Sequence, residues 1–134
     1  MSRLFIRMKM GKFNSQLISI VPLKALCSRW GIVSVCYGHA GDGNIHVNLL
    51  KDDLPDQIWE QKLPEMIREL FTIVKGLGGA LTGEHGVGYS QREYMSIMKS
   101  PAELDIMRRL KLAFDPLGIL NPGKILPETV EGDV

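Results

Sequence analysis

The residues that decide the fold are I-V-S-V-C-Y-G-H-A-G-D-G-N-I-H-V-N-L-L, at positions 32–50. Residues 32–37 are β-branched and aromatic, which favours a strand over a helix at this length. In residues 45–50, apolar side chains alternate with His46 and Asn48, so these residues predict a second strand with two different faces. Because a glycine-rich turn joins the two runs, the sequence predicts a β-hairpin.

A long amphipathic helix is predicted after the hairpin, between Leu54 and Lys75. Asp56 is its candidate cap, and Pro64 predicts either a kink or a helix that begins near Leu63. Glycines at 76–79 should end the helix, because glycine readily adopts the left-handed conformation of a C-cap. The apolar residues at three- and four-residue steps, which predict the buried face, are Trp59, Leu63, Met66, Ile67, Leu70, Val74 and Leu77.

The last helix is marked by a capping pattern. Ser100 caps it, Pro101 takes its first position, and Glu103 completes a capping box. Two prolines and two glycines in the following D-P-L-G-I-L-N-P-G-K, residues 115–124, predict a rigid tail without regular structure. The predicted buried stripe of this helix is Leu104, Met107, Leu110 and Phe114.

The remaining segments carry weaker patterns. Residues 1–15 show no clear period, and the apolar run 17–22 suggests a short strand that ends at Pro22. Residues 23–30 fit two helical turns, and A-L-T at 80–82 suggests another short strand.

Composition predicts one ordinary globular domain, since 45% of the 134 residues are hydrophobic and 23% are charged. Two cysteines, Cys27 and Cys36, are too few for a disulfide framework. Without a membrane-length apolar run or a signal peptide, and with a net charge of +1, we expect a cytoplasmic protein with no nucleic-acid partner. Every charged residue before Asp42 is basic, so a mitochondrial transit segment in a eukaryote is the alternative.

The three histidines, His39, His46 and His85, all lie in or beside two glycine-rich segments, and Glu84 adjoins the last of them. Two imidazoles and a carboxylate can bind zinc, manganese or iron and leave positions open for a substrate. A packing role is the alternative, because a lone histidine at a strand edge is usually hydrogen-bonded. Glu84 and His85 could serve as ligand and base in either order, and Asp42 is better explained as a turn residue.

Three motifs together resemble one family. They are G-H-A-G-D-G-N-I-H-V-N at 38–48, G-G-A-L-T-G-E-H-G-V-G at 78–88, and D-P-L-G-I-L-N-P-G-K at 115–124. They are similar to the signatures of the C-terminal domain of FAD-linked oxidases, which include D-lactate dehydrogenase, D-2-hydroxyglutarate dehydrogenase and the flavin subunit of glycolate oxidase. The resemblance covers about residues 32–126 and implies an α+β fold, a ferredoxin-like cap domain with helices on one face of an antiparallel sheet.

The resemblance also implies roles for individual residues. His39, His46 and Glu84 would bind a divalent metal (zinc, manganese or iron), and His85 would take the hydroxyl proton while hydride leaves for the flavin. Asn48 would contact the substrate. Two residues of the third motif, Asn121 and Lys124, would approach the FAD.

The family's full-length members carry a flavin-binding domain before this region. We therefore expect residues 32–134 to be the cap domain, preceded by a basic lead-in segment, 1–31, that is shorter than the family's. The implied activity is oxidation of a D-2-hydroxy acid, which this chain alone is not expected to perform. Its expected partners are a small 2-hydroxy acid and either a separate FAD-binding chain or a second copy. The alternative is a metal-binding or interaction module without redox activity.

Overall fold

The computed structural model describes residues 3–9, 13–39 and 43–128, with side chains from Ile20 onward. The fold is of the α+β class, as predicted. The chain divides into two compact units, one ending at His85 and the other beginning at Gly86. Among the helices of the described residues, none has the length and apolarity that a bilayer crossing requires.

The first unit contains a three-stranded antiparallel sheet, formed by β1 (Arg3–Lys9), β2 (Val33–His39) and β3 (Asn44–Leu50). Its order is β1-β3-β2, so β3 is the central strand and pairs on both sides. The predicted hairpin of β2 and β3 is confirmed. As predicted, the alternating apolar residues of β3 lie on one face of the strand and His46 and Asn48 lie on the other, because consecutive side chains of a strand point to opposite faces.

Two helices accompany the sheet, α1 (Phe13–Arg29) and α2 (Asp56–Gly76). Helix α1 contacts both β2 and α2, and its Cys27 hydrogen-bonds to Ser34 of β2. Burial raises the pKa of Cys27, so this thiol remains neutral and belongs to the core. The buried apolar residues of this unit are Leu23, Leu26, Cys27, Ile32, Ile45, Val47, Leu49, Trp59, Met66, Ile67, Leu70, Phe71, Val74 and Leu81.

The prediction of a short strand at 17–22 was wrong, because these residues belong to α1 and Pro22 lies inside the helix. Leu23, Leu26 and Cys27 are buried at helical spacing, and their packing outweighs the hydrogen bond that the proline removes. Residues 3–9, for which no period was recognised, form β1.

Two details of the first unit also differ from prediction. Helix α2 begins at Asp56 itself, with Pro55 in the N-cap position, and the Asp56 carboxylate pairs with Lys51 instead of capping the helix. A hydrogen bond from Lys51 accordingly lowers the pKa of Asp56. In the segment 80–82, only Ala80 makes a strand-like bridge, because glycines on both sides interrupt the extended backbone.

The second unit contains a 3₁₀ turn (Arg92–Tyr94), α3 (Met95–Met98) and α4 (Pro101–Phe114). The tail after α4 is irregular, as predicted, and is tied back to the start of the unit. Buried Arg92 donates to the carbonyl of Gly123 at 2.7 Å and to Glu128 at 2.6 Å. Asp115 accepts hydrogen bonds from the backbone of Ile119 and Leu120, which closes the first turn of the tail.

The predicted buried stripe of α4 is largely exposed. Leu104 is buried, but Leu110 is 55% exposed and Phe114 is 83% exposed. The stripe predicts that a face is apolar, but burial also requires another element to cover that face. The second unit has no element over this part of α4 among the described residues.

The capping box of α4 is confirmed, and it predicts an acid-sensitive contribution to stability. The Ser100 backbone N–H, assisted by Lys99, lowers the pKa of Glu103 from 4.5 to about 2. A carboxylate whose pKa is lowered by folding contributes its full stabilisation when the pH is above its pKa in the unfolded state. This stabilisation is lost as the pH falls towards its pKa in the folded state. We therefore expect Glu103→Ala to lower the urea midpoint near neutral pH. The difference from wild type should shrink below about pH 4.5, and a constant difference would contradict this account.

Candidate metal centre

The site begins where the hairpin turns. His39 is the last residue of β2 and Asn44 is the first of β3, and the two are opposite each other in the sheet. Gly43 has a φ of +83° and donates its N–H to the carbonyl of His39 at 3.3 Å, which closes the turn. The predicted turn residue Asp42 lies outside the described residues.

His46 is the innermost of the three histidines. It is only 6% exposed and lies on the central strand, on the sheet face opposite that of Val47. Tyr37, its partner across the β2–β3 pair, stacks on the imidazole with ring centroids 4.9 Å apart and planes 20° apart. The His39 ring meets His46 edge-on, with centroids 5.5 Å apart. Both imidazoles therefore lie at the turn end of the hairpin.

Glu84 reaches the same place from the loop that follows α2. Its Oε1 lies 3.9 Å from Nε2 of His46 and 3.1 Å from Nε2 of His85. The other carboxylate oxygen, Oε2, accepts a hydrogen bond of 3.3 Å from Nδ2 of Asn44. The two glycine-rich segments therefore converge, although 38 positions separate Glu84 from His46 in the sequence.

The arrangement fits a divalent cation. His39, His46 and Glu84 each offer one ligand atom, and these atoms all lie within 4.8 Å of one another. Ligand atoms on a tetrahedral ion are roughly 3.3 Å apart, given bonds of about 2 Å, so small side-chain rotations would close the set. Two nitrogens and one oxygen are the donors of catalytic zinc and non-haem iron sites, which leave positions open for a substrate.

His85 and Asn48 are adjacent to this cluster in different ways. The His85 side chain is 55% exposed and contacts Glu84, so it lies on the solvent side of the carboxylate. Asn48 follows His46 by two residues on β3 and therefore shares its face of the sheet. Its Oδ1 is buried and accepts no hydrogen bond from the described residues, which leaves an acceptor available to a bound molecule.

Asn121 and Lys124, the residues predicted to approach FAD, lie in the second unit. Both line a surface cavity of about 320 Å³, together with Lys111 and apolar residues. Asn121 has a left-handed backbone, with φ +48°, and the Lys124 ammonium lies 4.8 Å from the centre of the Tyr89 ring. The structure therefore groups these two residues in one cavity.

Sequence reasoning missed two side chains of the cluster, Asn44 and Tyr37. Asn44 directly follows the glycine turn, where asparagine is a common turn residue, so no local signal indicates its contact with Glu84. Tyr37 was treated only as a strand residue, although the antiparallel register places it opposite His46. The contact of Asn44 depends on the position of the loop after α2, and that of Tyr37 depends on the pairing of the strands.

The chain contains an α+β domain with an imidazole–carboxylate cluster at the turn of its hairpin. Comparison with known proteins identifies the family of this domain. The model of the family described as FAD linked oxidases, C-terminal domain, matches residues 16–125. The chain therefore belongs to this family.

Several curated proteins are similar to the chain. D-2-hydroxyglutarate dehydrogenase of Stutzerimonas stutzeri is 44% identical over 92 residues, which are 68% of this chain and 20% of that protein. D-lactate dehydrogenase of Archaeoglobus fulgidus is 39% identical over 101 residues, 75% of this chain and 22% of the relative. Glycolate oxidase subunit GlcD of Bacillus subtilis is 40% identical over 94 residues, which are 69% of this chain and 20% of that protein. The chain thus spans about a fifth of the length of these relatives.

Proposed function

We propose that this chain is the substrate- and metal-binding C-terminal portion of a flavin-dependent 2-hydroxy-acid dehydrogenase. In this proposal the complete enzyme oxidises a D-2-hydroxy acid to a 2-oxo acid and passes hydride to FAD. The observation that carries the proposal is the convergence of His39, His46 and Glu84 at one end of the hairpin. The names of the relatives, D-2-hydroxyglutarate dehydrogenase and D-lactate dehydrogenase, supply the substrate class.

In the proposed site, His39, His46 and Glu84 hold the metal ion. When bound, the ion lowers the pKa of the substrate hydroxyl and orients it. Burial of His46 supports this role, because a buried imidazole stacked on Tyr37 keeps one orientation. The exposed side of Glu84 leaves an approach for a small acid.

His85 is the proposed general base. Nε2 of His85 lies 3.1 Å from Oε1 of Glu84, and in this proposal it carries the ring proton, so that the lone pair on Nδ1 takes the hydroxyl proton. Glu84 then stabilises the resulting imidazolium, because its carboxylate remains beside the ring. Removal of the hydroxyl proton makes it easier for hydride to leave the carbon that bears this oxygen.

Asn48, Asn121 and Lys124 complete the proposed contacts. Asn48 would accept a hydrogen bond from the substrate through its buried Oδ1. FAD, as hydride acceptor, supplies the redox chemistry. Asn121 and Lys124 line one cavity, and the positive charge of Lys124 supports contact of this surface with an anionic cofactor.

We also propose that residues 32–134 form a ferredoxin-like cap domain, with residues 1–31 as a lead-in. The antiparallel pair of β2 and β3 supports this assignment, and the lead-in adds β1, which pairs with β3, and α1, which contacts β2 and α2. A partner that binds flavin, in the same or another chain, would cover the apolar surface of the second unit. The exposed residues that support such a partner are Ile106, Leu110, Leu112, Phe114, Leu117, Ile119 and Leu120.

Metal analysis tests the proposal directly. Purified protein, loaded with Zn²⁺ or Mn²⁺ and dialysed, should retain about one ion per chain. His46→Ala and Glu84→Ala should each weaken binding strongly, since each removes a ligand atom. His85→Ala is the matched control, because it removes an imidazole that the proposal assigns to proton transfer, and it should retain the ion.

The result that would overturn the metal site is a wild-type chain without any bound ion after loading with zinc, manganese and ferrous iron. Reconstitution then separates the enzyme from the alternative, a binding module without redox activity. Addition of a flavin-binding partner should give dye reduction that depends on a 2-hydroxy acid, and the His85→Ala variant should abolish it while retaining metal. Metal binding without activity in any such reconstitution would favour the module.

A further inference from the structure

We propose that Asn44 is a positioning residue for Glu84: its amide holds Oε2 of the carboxylate, so that Oε1 faces the imidazoles and is the oxygen that binds a cation. The inference rests on the proposed metal site and adds to it a residue outside the ligand set. It also assigns different roles to the two oxygens of one carboxylate.

The contacts of Glu84 divide between its two oxygens. Oε2 accepts a hydrogen bond of 3.3 Å from Nδ2 of Asn44. Oε1 faces Nε2 of His46 at 3.9 Å and Nε2 of His85 at 3.1 Å. The oxygen turned towards the imidazoles is therefore the one that the amide leaves unoccupied.

Asn44 is well suited to fix a neighbouring side chain. It is 5% exposed and lies on the central strand, opposite Lys9 of β1 on one side and His39 of β2 on the other. Glu84 lies in a loop that forms neither helix nor strand. Because the strand is held by pairing on both sides and the loop is not, the hydrogen bond should orient the carboxylate rather than the amide.

The consequence for a cation is a carboxylate that binds through one oxygen. A carboxylate with both oxygens free can occupy two coordination positions, whereas one held at Oε2 occupies a single position. With two imidazoles and one oxygen bound, a position remains for the oxygen of a substrate. Residues that orient metal ligands typically contribute 10–100-fold to metal affinity.

The test is a double-mutant cycle with Co²⁺ as the probe, read by calorimetry and by the visible spectrum of the Co²⁺-loaded chain. Asn44→Ala should weaken Co²⁺ binding about 10–100-fold and alter the spectrum, because Glu84 can then bind through both oxygens. In the Glu84→Ala background, the same substitution should cause no further loss. Gln57→Ala, which removes an exposed amide from α2, is the matched control and should change neither measurement.

Asn44→Leu is a second variant that removes the hydrogen-bond donor but keeps a similar side-chain volume, so it should disturb packing less than alanine. Circular dichroism verifies the fold of each variant. Equal losses from Asn44→Ala with and without Glu84 would overturn the inference, as would unchanged affinity and spectrum in both Asn44 variants. If wild type bound Co²⁺ and the cycle were additive, only this inference would fail. If wild type bound no cation, the proposed metal site would fail and this inference with it.

Discussion

Phe71→Ala should lower the free energy of unfolding by about 3–5 kcal/mol. Phe71 has no exposed surface and is the largest of the fully buried side chains of α2. Its removal loses the transfer free energy of the ring and leaves a cavity, because the surrounding core is held by the sheet and by α1 and relaxes only in part. Urea unfolding followed by circular dichroism measures the change.

Phe114→Ala is the matched control, since it makes the same substitution in a helix. Phe114 is 83% exposed near the end of α4, so its removal leaves no cavity, and alanine has the higher helix propensity. We expect a change within about 0.5 kcal/mol for the isolated chain. Similar losses for the two variants would mean that the face of α4 is covered in solution, for example by a second copy, and unfolding at several protein concentrations would reveal it.

The elements predicted correctly are those specified by local signals. The alternation in 45–50, the stripe of α2 and the capping box at Ser100 and Glu103 each depend on residues close together in the sequence. Glycines at 76–79 end α2 for a local reason as well, and Gly78 has a φ of +71°. Such signals specify helices and turns locally, although burial of an apolar stripe still requires another element to cover it, as α4 shows.

The wrong predictions concern segments whose secondary structure depends on contacts with residues distant in the sequence. Residues 17–22 have strand-like composition, but they belong to α1, a helix that packs against α2 and β2. In Arg3–Lys9, the apolar residues Leu4, Ile6 and Met8 form only a weak alternating pattern, and this segment is a strand because it pairs with β3. Propensity is a weak determinant when tertiary contacts oppose it.

The candidate site shows the same division. The short spacing of His39 and His46 across a glycine turn predicts their proximity, because a hairpin brings the ends of its strands together. Glu84 is a candidate because it adjoins His85, but its assignment to the same site as His39 and His46 depends on the resemblance to the family, since the loop after α2 returns to the hairpin by a tertiary arrangement. Asn44 was missed because a buried amide has no role until its partner is known.

Gly38→Ala should separate the two strands at the candidate metal centre. A Cβ on Gly38 would lie 2.1 Å from the carbonyl oxygen of Asn44 and 3.3 Å from the Cα of Ile45. Both are backbone atoms of the central strand, so no side-chain rotation relieves the clash, and β2 must move away from β3 next to the His39–Asn44 pair. We expect a loss of about 1–3 kcal/mol in the free energy of unfolding.

The same movement should weaken metal binding, because it displaces His39 of β2 relative to His46 of β3. Gly76→Ala is the matched control: Gly76 is the last residue of α2, and nothing lies within 4 Å of a Cβ built there. Alanine should be neutral or should stabilise the helix by up to about 1 kcal/mol, with metal affinity unchanged. If Gly38→Ala retained wild-type stability and metal affinity, the close approach of β2 to β3 would not be needed to hold His39 beside His46.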